Sequence, residues 1–175
     1  VVDGKTVAEA GPAFNLWRAP TDNDGVKGDP SHWSSEWKAL GRWANAGFDK
    51  LSRKLKSFEV YESDGAVEIE AVDLFTGKDR RKAIAHEALI SVRAGGVIFC
   101  RHRFTVPAGL PDVPELGVRW VVAPGFENLT WFGLGPQETY PDRKAGALVG
   151  CWTGTVADQY YNYLMPQESG NKEEV

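Results

Sequence analysis

The sequence predicts an all-β fold, mainly antiparallel, with one short helix near residues 30–46. Three observations carry this reading: several runs alternate apolar with polar residues, Gly, Pro and Asp turns separate those runs, and one stretch alone has helical spacing. A chain of 175 residues has the size of one domain and buries about 70 % of its unfolded surface, enough to fold without metal or disulfide staples.

Residues 1–10 hold the turn Asp3-Gly4-Lys5 between short apolar pieces, which points to an opening strand. The apolar Phe14-Asn15-Leu16-Trp17 then runs into the polar Asp22-Asn23-Asp24-Gly25. Asp29 and Pro30 offer a cap and a first helical position. Trp33, Trp37, Leu40 and Ala44 follow at i, i+4, i+7 and i+11, one apolar stripe interrupted by Gly41 and closed by Gly47.

From Leu51 the period alternates. Val67, Ile69 and Ala71 take one face, Glu68 and Glu70 the other, after the turn Ser63-Asp64-Gly65. Residues 82–93 and 97–106 read as long strands joined by Gly95-Gly96 in a two-residue primed turn, with His86, Ala88, Ile90 and Val92 on a shared face. Leu116, Val118, Trp120 and Val122 alternate with Gly117, Arg119 and Val121. Pro124-Gly125 turns the chain into a strand over 129–134, and the next strand covers 146–154. The aromatic and polar stretch from Tyr160 to Asn171 is followed by no closing strand, so a truncated sandwich with an unpaired edge and a bare apolar face is expected.

Composition narrows the function classes. A net charge of −4 and scattered basic residues argue against nucleic acid or an anionic membrane, and Arg80-Arg81-Lys82 reads as a solvated turn. No apolar run reaches the roughly 20 residues of a membrane span, and no signal peptide opens the segment, leaving the compartment, cytoplasmic or periplasmic, open. Cys100 and Cys151 have no zinc or redox spacing and read as buried free thiols. Seven Trp, eight Phe and five Tyr suit an aromatic core or stacking platforms for sugar faces. Trp33, Trp37, Trp43 and Trp120 fit core stripes, whereas Trp17, Trp131 and Trp152 flank loops. His32, His86 and His102 read as packed or face residues, and no metal site is expected.

Two polar stretches stand out as walls of one region: Trp17-Arg18-Ala19-Pro20-Thr21-Asp22-Asn23-Asp24-Gly25 and Gly133-Leu134-Gly135-Pro136-Gln137-Glu138-Thr139-Tyr140-Pro141-Asp142-Arg143. With Asp29-Pro30, Trp33, Trp37 and Lys38 between them, they resemble the C-terminal small-chain domain of family 2 glycoside hydrolase β-galactosidases, in order and spacing from about Phe14 to Gly170. The resemblance implies a galactose-mutarotase-like antiparallel supersandwich, of which residues 1–175 form a single domain's N-terminal two thirds.

What the resemblance implies about function is specific. The family hydrolyses terminal β-D-galactosides such as lactose with retention, using two glutamates about 5 Å apart on a (β/α)₈ barrel. That barrel is absent here, so no residue is assigned a catalytic role, and Glu36, Glu87, Glu115 and Glu138 read as surface or turn carboxylates. Asp22, Asn23, Asp24 and Gly25 correspond to the start of a loop that borders the active site, with Gly25 as its hinge; the run from Gly25 to Pro30 is shorter than in well-known members. Arg18, Gln137, Glu138, Tyr140, Asp142 and Arg143 are candidates for carbohydrate contact or for fixing a loop. The full-length family enzyme commonly uses Mg and Na bound largely elsewhere, and no cofactor is expected in this segment. The implied partners are a β-galactoside, the remaining domains of the same chain and further copies in a homo-oligomer, without nucleic acid or membrane. The expected role is a non-catalytic segment that shapes the active-site rim and carbohydrate binding. An autonomous carbohydrate-binding module is the alternative, and a mutarotase-type aldose epimerase the third, since fold alone does not set activity.

Overall fold

The computed structural model describes residues 4–25, 31, 35–140, 142–164, 167 and 169–175. Among these residues the order is β1 (Ala8–Asn15), α1 (Ala39–Ala46), β2 (Ser52–Ser63), β3 (Ala66–Thr76), β4 (Ala83–Arg93), β5 (Ile98–Thr105), β6 (Gly117–Val122), β7 (Asn128–Gly135) and β8 (Leu148–Thr155). Pairing is antiparallel throughout: β1 with β6, β2-β3-β4-β5 as a four-stranded sheet, and β7 with β8. The all-β class with one short helix is therefore the one the sequence predicts.

Turn chemistry sets the long hairpin. Asp64 and Gly65 both take positive φ, 49° and 73°, which matches strand twist in a two-residue turn and pairs Ser63 with Ala66. The β4–β5 connection differs from its expected form. The Arg93 amide donates to the Val97 carbonyl at 2.9 Å, so three residues, Ala94-Gly95-Gly96, make the turn instead of the two glycines alone.

The helix occupies the later half of the expected span, and its apolar face is phased differently. Lys38 is extended and caps nothing with its side chain, so the 3.6-residue period does not reach back to Trp37, which is 94 % exposed. Leu40, Gly41 and Trp43 are the buried positions. A tertiary bond supplies the missing cap: the Leu40 amide donates to the Asp24 carbonyl at 3.0 Å. Gly47 closes the helix in the left-handed conformation, and the Lys78 amide donates to Ala46 just before it, at 2.9 Å. The expected Asp29-Pro30 cap, Trp33 and His32 lie outside the described residues.

The core sits where this helix and the end of β1 cover one end of the four-stranded sheet. Leu16, Trp43, Phe48, Phe75 and Ile84 are buried together, with Phe14, Trp17, Leu51 and Leu110 packed against them. Phe14 stacks on Phe75 at 4.1 Å between centroids, and Trp17 meets Trp43 edge-on at 6.2 Å. Trp120, assigned to a core stripe by alternation, is instead 41 % exposed, because β6 pairs only with β1 and its outer half is uncovered. Cys100 and Cys151 are free, but exposed instead of buried: each lies on a strand face that no other described element covers. Among the described residues β2 pairs on one side only, with β3, and is exposed along its length with Leu55, Phe58 and Val60.

Gly41 is the tightest point of this packing. A methyl added there would stand 1.8 Å from the Ser35 carbonyl oxygen. Gly41→Ala is expected to lower stability by about 1–3 kcal/mol, read as a shifted denaturant midpoint at unchanged slope. A wild-type midpoint would show that the Ser35 backbone has room to withdraw.

Candidate functional site

The first polar stretch folds around a buried carboxylate. Asp24 accepts from both terminal nitrogens of Arg18, at 2.6 and 3.1 Å, and from the Thr21 amide and hydroxyl at 2.8 and 3.0 Å. Burial pushes the Asp24 carboxyl up, but Arg18 and Thr21 outweigh it and hold the group below its ordinary value. Arg18 in turn donates through Nε to the Pro114 carbonyl at 3.1 Å and lies over the Trp43 ring at 5.2 Å. Gly25, also buried, takes a φ of 152°, a region that favours glycine. The loop between Gly25 and Ser31 lies outside the described residues.

The second stretch leaves β7 through the cis Gly135–Pro136 peptide and folds around Glu138. Its Oε2 accepts from Arg143 at 2.9 Å and from the Tyr163 hydroxyl at 2.6 Å, and its Oε1 from the Gly170 amide at 2.8 Å. Arg143 also donates to the Tyr163 hydroxyl and lies over the rings of Tyr163 and Tyr140 at 4.9 and 5.7 Å. The hydrogen bond to Glu138 holds the Tyr163 phenol above its ordinary value. Next to it, the fully buried Thr139 donates its amide to Asn171 at 3.0 Å, and its hydroxyl accepts from the Glu173 amide at 2.6 Å. The segment 169–175 is thereby laid along the base of the β7–β8 hairpin.

The two stretches meet, as the sequence reading expects. Thr21 and Asn23 from the first, and Tyr140, Asp142 and Arg143 from the second, line a pocket of about 110 Å³ together with Gln167. Gln167 bridges the walls by donating to Asp22 at 3.1 Å. Arg18 and Tyr140 face an adjoining cleft of about 700 Å³. Asp24 and Gln137 do not line this pocket; Gln137 donates to the Gly146 carbonyl at 3.3 Å. Sequence reasoning missed Tyr163, which reaches Glu138 from the late aromatic and polar stretch; that unusual mixture was the available signal.

Of the other candidate carboxylates, Glu115 is exposed and lines the cleft that Arg18 and Tyr140 face, whereas the exposed Glu36 and Glu87 sit elsewhere. His86 and His102 stack face to face with Nε2 and Nδ1 3.0 Å apart, among Phe14 and Phe104. Among the described residues, no three His, Cys, Asp or Glu side chains stand where they would hold a metal ion.

The β-galactosidase small-chain family model matches residues 1–175, the entire sequence. The chain belongs to that family. It is 31 % identical over 170 residues to a β-galactosidase of Streptococcus thermophilus, covering 97 % of this chain and 15 % of that protein. Against a β-galactosidase of Halalkalibacterium halodurans it is 33 % identical over 178 residues, 97 % of this chain and 16 % of the relative. An Arthrobacter β-galactosidase shares 30 % over 178 residues, 95 % of this chain and 17 % of the relative. The chain thus spans about a sixth of the length of these relatives.

Two predictions follow the geometry. Asp24→Ala leaves Arg18 without its anion in a site where the two side chains are only 23 % and 10 % exposed. The loss is expected to be on the order of 3 kcal/mol in chemical denaturation, against under about 1 kcal/mol for a surface ion pair. For the histidines, burial holds both below the ordinary imidazole value; at His86 the neighbouring His102 and Arg53 add to this and Asp73 opposes it. A base depressed in the fold stays neutral while its unfolded form takes up protons near pH 6.5. Stability is then complete above about pH 6.5 and falls as the pH drops below it. Melting curves at about pH 7 and 5 are expected to show this loss, and His86→Phe with His102→Phe to flatten it. An unchanged slope in the double variant would assign the loss to other groups.

Proposed function

We propose that this chain is a non-catalytic part of a retaining β-galactosidase, acting in a longer polypeptide to shape the rim of the sugar site. The observation that carries this reading is the match of the whole chain to the small-chain family, with relatives of which it spans about a sixth. The state of the carboxylates supports it. Asp24 and Glu138 are each bound by an arginine and by further donors, which suits fixed structural anions and not a nucleophile or a proton shuttle. The pocket shared by Asn23, Tyr140, Asp142 and Arg143 supports the rim role, with Gly25 at the root of the bordering loop. In this reading the two catalytic glutamates and the Mg and Na ions of the family belong to other segments, and the partners are those segments, a β-galactoside and further copies of the enzyme. The epimerase alternative needs a histidine and a carboxylate facing one cleft; His86 and His102 instead bond to each other between aromatic rings.

The test is hydrolysis of a chromogenic β-galactoside. The chain alone is expected to release no product, and the longer enzyme that contains it to be active. Turnover by the chain alone that disappears in Glu138→Gln would overturn the assignment.

A further inference from the structure

A further cavity shares Arg143 with the pocket between the two polar stretches and takes in Glu138, which does not line that pocket. It measures about 530 Å³, within the range of small-molecule sites and larger than one hexose, and it opens between the β7–β8 hairpin and the segment 158–172. Its walls are Trp131 on one side and the Tyr161 and Tyr163 pair on the other, whose centroids are 4.6 Å apart. Tyr161 is 64 % exposed and presents an open ring.

The polar groups around these rings have been partly used up by the fold, and what is left is informative. Glu138 is neutralised by Arg143, and Asp158, also in the lining, accepts from the Thr155 amide and hydroxyl at 2.8 and 2.7 Å. Gln137 and Gln159 each spend Nε2 on a backbone carbonyl, of Gly146 and Thr155, which leaves their carbonyl oxygens as acceptors. Lys172 lies over Trp131 at 4.9 Å and donates to the main-chain carbonyl of Gln137 at 3.3 Å, one bond for three donors. Burial pulls the Lys172 ammonium below its ordinary value, with Glu138 opposing.

A purely apolar guest would strand these groups, at a penalty for each unsatisfied donor or acceptor. A phosphorylated guest would meet no surplus of positive charge, since Arg143 and Lys172 are balanced by Glu138 and Asp158. A ring with one C–H face and a rim of hydroxyls matches the open tyrosine, the two amide oxygens and the ammonium together. We propose that this cavity is a neutral saccharide-binding site, with only Arg143 in common with the rim pocket, in which Tyr161 stacks on the sugar and Lys172, Gln137 and Gln159 bind its hydroxyls. The assignment stands on the cavity itself and does not depend on the hydrolase reading.

Galactose, lactose and glucose are titrated into the full chain by calorimetry and tryptophan fluorescence, with cyclohexanol as a ring lacking the hydroxyl pattern. Saturable binding with a dissociation constant on the order of 1 mM is expected for at least one sugar, and none for cyclohexanol. Tyr161→Ala and Lys172→Met, both at positions that contribute little to the core, are expected to weaken it about tenfold or more while keeping the wild-type melting curve. No saturation with any sugar, equal binding of cyclohexanol, or unchanged affinity in both variants overturns the site. Chromogenic hydrolysis by the longer enzyme, measured on the same two variants, separates the two readings. Unchanged kcat/KM beside weakened binding supports a site apart from catalysis, and a matching fall in both assigns these residues to the reaction site and overturns the separate cavity.

Discussion

The bidentate bond between Arg18 and Asp24 is the constraint on which the rest of the molecule depends. A buried carboxylate needs its charge matched and its lone pairs filled, and Asp24 obtains both from residues within six positions of itself. Once fixed, the same residue offers its carbonyl to Leu40 and so starts the only α-helix among the described residues. That helix carries Trp43 into the core, where the ring supports the guanidinium of Arg18. Ion pair, helix start and core aromatic form a closed circuit in which each member holds the next.

Glu138 plays the corresponding part in the second half. Its partners come from three separated places, Arg143, Tyr163 and Gly170, so one carboxylate gathers a turn, an aromatic stretch and a backbone amide. The charge of the two anions is spent on holding irregular backbone in place.

Periodicity and turn residues made most of the strands legible. The alternation around Val67 and Ile69 and the Ser63-Asp64-Gly65 turn correspond to β3 and its hairpin because both are decided by neighbours in sequence. The helix start was not legible, since its cap is a carbonyl sixteen positions earlier and not a local side chain. Trp37, Trp120 and the two cysteines look apolar and therefore interior, yet residue type fixes only a preference for burial and the sheet order decides whether anything covers the strand. At the site, Arg18, Glu138 and Arg143 were recognisable from the motif. Tyr163 was not, because it meets Glu138 across twenty-five positions of sequence.

The way the segment 169–175 lies against β7 also bears on the order in which the molecule assembles. β7 and β8 close a local hairpin, whereas Thr139 and Leu134 reach Asn171, Glu173 and Glu174 over more than thirty residues. Contacts of short sequence separation form early and distant ones late, since each must first close its loop. The cavity walled by Trp131 and Tyr161 is therefore among the last features to be completed. On a ribosome, its far wall emerges after both strands of the hairpin against which it stands.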